Sequence, residues 1–161
     1  MSLRFFPRKF LSIKYHIMKS GNVRGMDEHE EEKAKKKTHI SKKQSFENLL
    51  RNLEISVKGI RGLAIITKNG LPVAVKLPRD VDIETFSGMS AAMYGAAETT
   101  MMELRGGHMY WVYTETEDCT LVVIDAGPSA LLVSLVRSGA NIGLVLMRLK
   151  IAANEVKNLI G

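Results

Sequence analysis

The stretch that decides the fold is LAIITKNGLPVAVKL, residues 63–77. Two runs of mostly aliphatic residues, Leu63–Thr67 and Leu71–Leu77, flank a Lys68-Asn69-Gly70 turn. Asn-Gly between two such runs predicts a β-hairpin in which both turn residues have positive φ. Pro72 cannot donate a hydrogen bond to a neighbouring strand, so we expect the second strand at an edge of the sheet.

An amphipathic helix is predicted before this hairpin. Its apolar residues follow i, i+3, i+4, i+7 and i+11, which places them on one face. We expect Ser41 or Ser45 to cap its start and Gly59 to end it. The apolar residues are Phe46, Leu49, Leu50, Leu53 and Val57.

A long helix is predicted after the hairpin, capped by Asp80 or Asp82, running to about Leu104 and ended by Gly106-Gly107. Its bulky residues share one side, which we expect to cover the sheet: Ile83, Phe86, Met93, Ala97, Met101 and Leu104. Small uncharged residues lie roughly opposite: Gly88, Ala92, Gly95 and Thr99. Because a helix-interior glycine costs about 0.5–1 kcal/mol relative to alanine, two on one stripe call for a compensating close contact. A second helix of the same chain or a partner subunit would supply it, and the small number of helices favours the partner.

Three strands and a last helix complete the predicted order. The strands are His108–Glu115, Cys119–Asp125 and Leu131–Arg137, and the helix starts at about Asn141. Its core stripe is Val145, Leu149, Ala152, Val156 and Leu159. A second apolar group, Leu144, Met147 and Ile151, is more than one helix needs to cover a sheet, so it predicts a partner-contact surface.

This order of elements predicts an α+β domain around a largely antiparallel sheet, because it holds two hairpins and no regular βαβ alternation. A domain over residues 45–161 is large enough to fold without a metal or a disulfide. The single cysteine excludes an intrachain disulfide, and no apolar run is long enough for a membrane span.

The excess of basic over acidic residues is confined to residues 1–44, which carry twelve Lys/Arg and five Asp/Glu. The remaining residues carry a net charge of −1, although the whole chain has a net charge of +6. The folded part is therefore no basic platform for nucleic acid. We expect residues 1–44 to be a disordered tail, with a partial helix where Glu31 and Glu32 precede Lys35 and Lys36. The tail is also the segment through which nucleic acid or a membrane surface would be contacted.

No catalytic, cofactor or metal site is predicted. His108 opens a strand without an acid or a nucleophile beside it in sequence, and we interpret it as a sheet-edge or surface histidine. Cys119 lies among apolar neighbours, which favours a small buried side chain. Residues 138–143 link a strand to a helix but lack a complete phosphate-binding motif, so a tight turn capped by Asn141 is the simpler interpretation. An enzyme that uses Cys119 or His108 stays the weakest alternative.

The sequence resembles the roadblock/dynein light chain family. The resemblance covers nearly all of residues 45–160 and rests on the order of the elements and on three segments. These are KNGLPVA at residues 68–74, the Met-, Ala- and Gly-rich helix that ends in LRGG at residue 107, and GANIGLV at residues 139–145. The basic tail departs from the family pattern.

The resemblance implies a roadblock/profilin-like fold, α-β-β-α-β-β-β-α, with a five-stranded antiparallel sheet in the order 2-1-5-4-3. The middle helix would cover one face, and the first and last helices the other. Members dimerise through their middle helices and by pairing their third strands edge to edge. For this chain that implies an interface at Gly88, Ala92, Gly95, Thr99, His108, Tyr110 and Val112.

The family also implies a function, which is to bind small Ras-like GTPases without catalysis. We therefore expect a cytoplasmic homodimer that regulates or scaffolds such a GTPase, with no cofactor. The alternatives are a sensory or trafficking adaptor of similar architecture, and a protein that acts on nucleic acid or membranes through its tail.

Overall fold

The computed structural model describes the backbone of residues 28–161 and the side chains of residues 42–161. The chain divides into two compact units, Met1–Thr38 and His39–Gly161, and the packing described below is that of the second unit. The aromatic and basic segment at residues 1–20 lies outside the described residues. A domain boundary at residue 44 stays a prediction.

The predicted order of elements is confirmed. The described elements are α1 (Glu28–Ser56), β1 (Ile60–Thr67), β2 (Pro72–Lys76), α2 (Ile83–Glu103), β3 (Trp111–Glu115), β4 (Cys119–Asp125), β5 (Ala130–Arg137) and α3 (Ile142–Ile160). The predicted start of α1 is wrong, because the chain is already helical at Glu28 and stays helical through Ser41 and Ser45.

The sheet has the strand order β2-β1-β5-β4-β3, with every neighbouring pair antiparallel. Both the predicted order and the edge position of the Pro72 strand are confirmed. Side chains alternate across the sheet, so β1 sends Leu63 and Ile65 to one face and Ala64 and Ile66 to the other. Helices α1 and α3 pack on the first face, and α2 packs on the second.

The hairpin is built differently from the predicted two-residue turn. Gly70 donates its N–H to the carbonyl of Thr67 at 2.9 Å, and Thr67 donates its N–H to the carbonyl of Leu71 at 2.8 Å. Among the turn residues only Gly70 has positive φ, at +84°. The loop therefore has three residues, a type I turn followed by a left-handed glycine. The Cβ of any residue other than glycine at position 70 would lie 2.9 Å from the Cα of Gly88 in α2, so the turn packs tightly on that helix.

Helix α2 packs on the sheet through a different face from the one predicted. Its buried residues are Ser87, Ser90, Ala91 and Tyr94. The bulky stripe is only half-buried at Phe86 and Met93, and Ile83, Met101 and Leu104 are exposed. The helix thus reaches the sheet mainly through small side chains and one tyrosine. Phe86 and Met93 of the bulky stripe also pack against this core cluster while staying half-buried.

The ends of α2 and α3 are set by their caps. Asp82 accepts a hydrogen bond from the Thr85 N–H at 2.8 Å, and the Thr85 side chain and backbone N–H lower the pKa of the Asp82 carboxyl. Asn141 accepts from the Leu144 N–H at 3.1 Å, as the tight-turn interpretation requires. After the end of α2 the residues with positive φ are Arg105 (φ +52°) and Gly107 (φ +80°), and Gly106 is not one of them.

Candidate interaction surfaces

The small-residue stripe of α2 lies open on the protomer. Gly88, Ala92 and Thr99 are exposed and Gly95 is half-buried. A Cβ built at Gly88 or at Gly95 would meet nothing within 4 Å. Nothing inside the described protomer therefore requires glycine at either position, although the Gly88 backbone does receive the hairpin turn. The predicted dimer surface is available, and its role stays a prediction.

Strand β3 is an edge strand with a free set of backbone groups. Asp125 donates its N–H to the Tyr110 carbonyl, and Thr116 donates its N–H to the Cys119 carbonyl, both at 2.9 Å. Residues bonded to one neighbour alternate along an antiparallel strand. The residues between these two bonds at odd positions therefore direct their N–H and C=O groups away from β4. They are Trp111, Tyr113 and Glu115.

The predicted strand at residues 108–115 is too long, because β3 begins at Trp111. His108 and Tyr110 lie in the segment before it, and both are exposed. Val112 is half-buried and packs against the core on the α2 face. Of the predicted dimer residues in this region, only Val112 belongs to the strand, and its side chain is partly used within the protomer.

The apolar group predicted on α3 forms an exposed patch. Leu144, Met147 and Ile151 are 44%, 50% and 51% exposed, whereas Val145 and Leu149 on the same helix are buried. The helix therefore completes its share of the core without these three side chains. The α3 patch and the α2 stripe lie on opposite faces of the sheet, so the structure does not bring the two predicted surfaces together.

An ion-pair cluster that no sequence pattern indicated joins the hairpin turn to β4 and α2. The Lys68 Nζ lies 3.2 Å from Asp125 Oδ1 and 3.8 Å from Glu98 Oε1. The His108 Nε2 lies 3.5 Å from Asp125 Oδ2. His108 is a surface residue, as interpreted, but it has an acidic partner that is distant in sequence. The residues come together only because the C-terminal ends of β1 and β4 lie at the same end of the sheet.

Tyr94 connects this cluster to the segment before β3. Its hydroxyl donates a 2.9 Å hydrogen bond to the Met109 carbonyl, and the Lys68 ammonium lies 5.7 Å from the centre of its ring. Burial of the phenol, and then the negative charges of Asp125 and Glu98, raise the pKa of Tyr94 above its ordinary value. The tyrosine therefore stays protonated, and its hydrogen bond to Met109 fixes the segment before β3 against α2.

A cleft of about 290 Å³ lies on the face of the sheet that α1 and α3 cover, between β3 and the second half of α3. Trp111 and Ile124 line it from the sheet, and Lys150, Ala153 and Lys157 line it from the helix. The Lys150 Nζ sits 4.0 Å from the centre of the Trp111 ring, which is a cation–π contact. The remaining lining residues are His108, Tyr110, Asp125 and Asn154. Sequence inspection missed this cleft because its two walls are separated along the chain and neither carries a motif.

The other candidate positions have structural roles. Cys119 is half-buried at the start of β4, with its Sγ 3.6 Å from the Thr116 hydroxyl, so the expectation of a buried thiol is only partly met. Within residues 42–161 no group of three or more histidine, cysteine, aspartate or glutamate side chains is arranged to hold a metal ion. Over the described helices, none combines the length and the apolar character that crossing a membrane requires.

Comparison with known families supports the resemblance stated from sequence. The family model described as "Roadblock/LC7 domain" matches residues 46–135. Two uncharacterized proteins of Methanocaldococcus jannaschii, MJ0310 and MJ1340, are each 36% identical over 100 residues, which cover 62% of this chain and 87% of either relative.

Solved structures agree on the fold. Myxococcus xanthus MglB has a TM-score of 0.69 at 16% identity, covering 73% of this chain and 89% of its own. The Roadblock/LC7 domain of Streptomyces avermitilis has a TM-score of 0.67 at 16% identity, covering 71% and 96%. An MglB with a tetrameric arrangement has a TM-score of 0.65 at 22% identity, covering 70% and 85%. Profilin IA of Acanthamoeba castellanii is more distant, with a TM-score of 0.52 at 12% identity, covering 70% and 97%.

Proposed function

This chain belongs to the Roadblock/LC7 domain family, a family associated with small GTPases, and we propose that it forms a homodimer that binds and regulates or scaffolds a small Ras-like GTPase. The observation that carries the proposal is the unfinished α2 face. Two glycines of α2, Gly88 and Gly95, have no neighbouring atom in the protomer that would exclude a side chain. They lie on the same helix as exposed methionines, and the neighbouring β3 has an open edge.

A second copy of the chain satisfies these features together. Close approach of two α2 helices would use the open space at Gly88 and Gly95 and cover the exposed Met89 and Met102. Pairing of two β3 strands would satisfy the free backbone groups of Trp111, Tyr113 and Glu115. It would also remove an exposed edge that otherwise invites aggregation. The tetrameric MglB structure shows that a protein of this fold self-associates.

Such a dimer leaves the α3 patch of each protomer free, because α3 lies on the other face of the sheet. We propose that Leu144, Met147 and Ile151 contact the GTPase. An apolar patch flanked by exposed Arg148 and Lys150 suits a protein surface with a mixed apolar and polar contact area. The chain would act by binding rather than by its own chemistry, and we expect the complex in the cytoplasm.

The dimer is tested with Gly95→Leu in the full chain. We expect light scattering after size exclusion to give the dimer mass for the parent and the monomer mass for the variant. Because the added side chain enters open space in the protomer, the circular dichroism spectrum should stay unchanged. An unaltered dimer mass would refute the α2 interface.

GTPase binding is tested by incubating the immobilised full-length protein with an extract of the source cells. The extract is first supplemented with either GDP or a slowly hydrolysed GTP analogue. A captured GTPase is then purified, and its hydrolysis and nucleotide exchange are measured with and without the chain. We expect Met147→Asp combined with Ile151→Asp to abolish capture. Leu71→Asp changes an exposed apolar residue at the hairpin turn and should have no effect. Capture that survives the double change would place the contact elsewhere, and an effect of Cys119→Ser would favour the enzymatic alternative.

A further inference from the structure

We propose that the cleft between β3 and α3 binds an acidic peptide segment of another protein, one with carboxylates on either side of an apolar side chain. None of the α2 stripe residues lines the cleft, and neither do Leu144, Met147 and Ile151. Its lining does include Lys150, which flanks the α3 patch, and the predicted dimer residues His108 and Tyr110. This inference does not depend on the dimer or on the GTPase.

The first argument is charge. Lys150 and Lys157 both line the cleft, and neither forms an ion pair with any acid in the part of the chain whose side chains are described. Asp125 is the acidic member of the lining, but Lys68 lies 3.2 Å from its carboxylate and neutralises it. The cleft therefore carries a net positive charge on a domain whose overall charge is close to neutral, which favours an anionic ligand.

The second argument is spacing. Lys150 and Lys157 are seven residues apart on one helix, which places their Cα atoms about 10 Å apart on nearly the same face. A single small anion sits against one ammonium group, whereas a peptide with carboxylates a few residues apart reaches both. The two lysines therefore select a chain of acidic groups over an isolated phosphate or carboxylate.

The third argument is the apolar floor between the charges. Trp111 is half-buried, and Ile124 and Ala153 lie beside it in the lining. Lys150 covers the indole at 4.0 Å, so a ligand carboxylate that draws the ammonium aside would uncover a flat aromatic surface. An apolar side chain between two acidic residues would pack on that surface. The second half of α3 directs no helix N-terminus toward the cleft, and this argues against a site built for a nucleotide phosphate.

Trp111 is the only tryptophan in the sequence, so its fluorescence reports directly on the cleft. The probe is a short blocked peptide of glutamate and leucine, titrated into the full-length protein at low salt, and the matched control peptide has glutamine in place of glutamate. We expect a saturable change in Trp111 emission with the first peptide and none with the second. The response should weaken as salt is added, because the contacts are exposed ion pairs.

The variant that tests the site combines Lys150→Glu with Lys157→Glu. We expect it to bind the glutamate peptide about tenfold more weakly or not at all, and to bind a lysine and leucine peptide that the parent ignores. Arg51→Glu reverses an exposed charge on α1 outside the lining and should leave binding unchanged. Gain of the opposite specificity cannot come from a folding defect.

Three outcomes would overturn the proposal. The first is an equal response to the glutamate and glutamine peptides, or none to either. The second is undiminished binding of the glutamate peptide by the reversed variant. The third is that inorganic phosphate, GTP or anionic vesicles reproduce the emission change while the peptide does not. The same titration on Gly95→Leu keeps the result separate from the proposed function, since a monomer should still bind the peptide.

Discussion

The two faces of the sheet are finished to different degrees. On the face covered by α1 and α3, twenty buried apolar residues form one cluster that includes large side chains such as Leu50, Leu132 and Leu149. On the α2 face the buried cluster has seven residues, of which the helix supplies only Ala91 and Tyr94. Buried hydroxyls with no hydrogen-bond partner among the described residues occur on both faces, at Ser87 and Ser90 on α2 and at Ser134 on β5. The first face therefore holds the larger core, whereas the second is built from fewer buried side chains, several of them small.

The difference shows where stability and association are divided in this fold. A core of branched aliphatic residues stabilises the protomer by itself, because each large buried side chain contributes roughly 1.5–3 kcal/mol. Helix α2 buries two serines, one alanine and one tyrosine and so contributes less, while its small-residue stripe stays largely exposed. The α1/α3 face should therefore control folding, and the α2 face should control association.

The largest expected effect comes from breaking the finished face. Leu149→Ala removes a fully buried side chain from the centre of the α3 contact and should lower the free energy of unfolding by about 2–5 kcal/mol. Met147→Ala, two residues away but half exposed, should change it by less than about 0.5 kcal/mol. Denaturant unfolding of the full-length variants measures both. Equal losses would mean that the exposed patch is part of the core.

Much of this architecture could be predicted from sequence, because local patterns encode it. The spacing of five apolar residues predicts the core stripe of α3: Val145, Leu149, Ala152, Val156 and Leu159. The first four are buried, and Leu159 is half-buried and packs against the same core. The Asn-Gly pair predicts the hairpin, and Asp82 and Asn141 predict the helix starts.

The parts that sequence did not predict depend on contacts between distant elements. The bulky stripe of α2 has the periodicity of a core face, so the sequence predicts that this stripe covers the sheet. In the structure the hairpin turn packs tightly at Gly88, and the buried residues of the helix include Ser87 and Tyr94 instead. The Lys68–Asp125 pair and the Trp111–Lys150 contact exist only after β1, β4 and α3 are assembled. No local pattern contains that information.

The next largest effect is expected at Tyr94, the one large side chain that α2 buries. Tyr94→Phe leaves the Met109 carbonyl without its 2.9 Å donor and should lower the free energy of unfolding by about 1–3 kcal/mol. The same change at Tyr113, which is half exposed, should be nearly neutral. Thermal unfolding of both variants measures the difference, and equal shifts would show that the Tyr94 hydroxyl contributes nothing particular.

Tyr94 also predicts how stability depends on pH. Its pKa in the folded protein is raised above the ordinary value of 10.0, mainly by burial. The unfolded chain therefore releases this proton first, so stability should decline as the pH rises above about 10. The decline should be smaller in Tyr94→Phe and unchanged in Tyr113→Phe. If the melting temperatures of the parent and of Tyr94→Phe fell by the same amount as the pH rises, the raised pKa of Tyr94 would be contradicted.

The smallest expected effect is the most direct test of the unfinished face, because its sign depends on protein concentration. Gly95→Ala adds one methyl group where nothing lies within 4 Å in the protomer. The change should stabilise the isolated protomer by about 0.5–1 kcal/mol, since alanine is the better residue in a helix interior. If a partner helix approaches at Gly95, the same methyl group should weaken the dimer. Melting temperatures measured over a range of concentrations should then lie above those of the parent when the protein is dilute and lose that advantage when it is concentrated. A gain that stays constant over the whole range would mean that Gly95 faces solvent in the assembled protein, and the α2 face would then need no partner at this point.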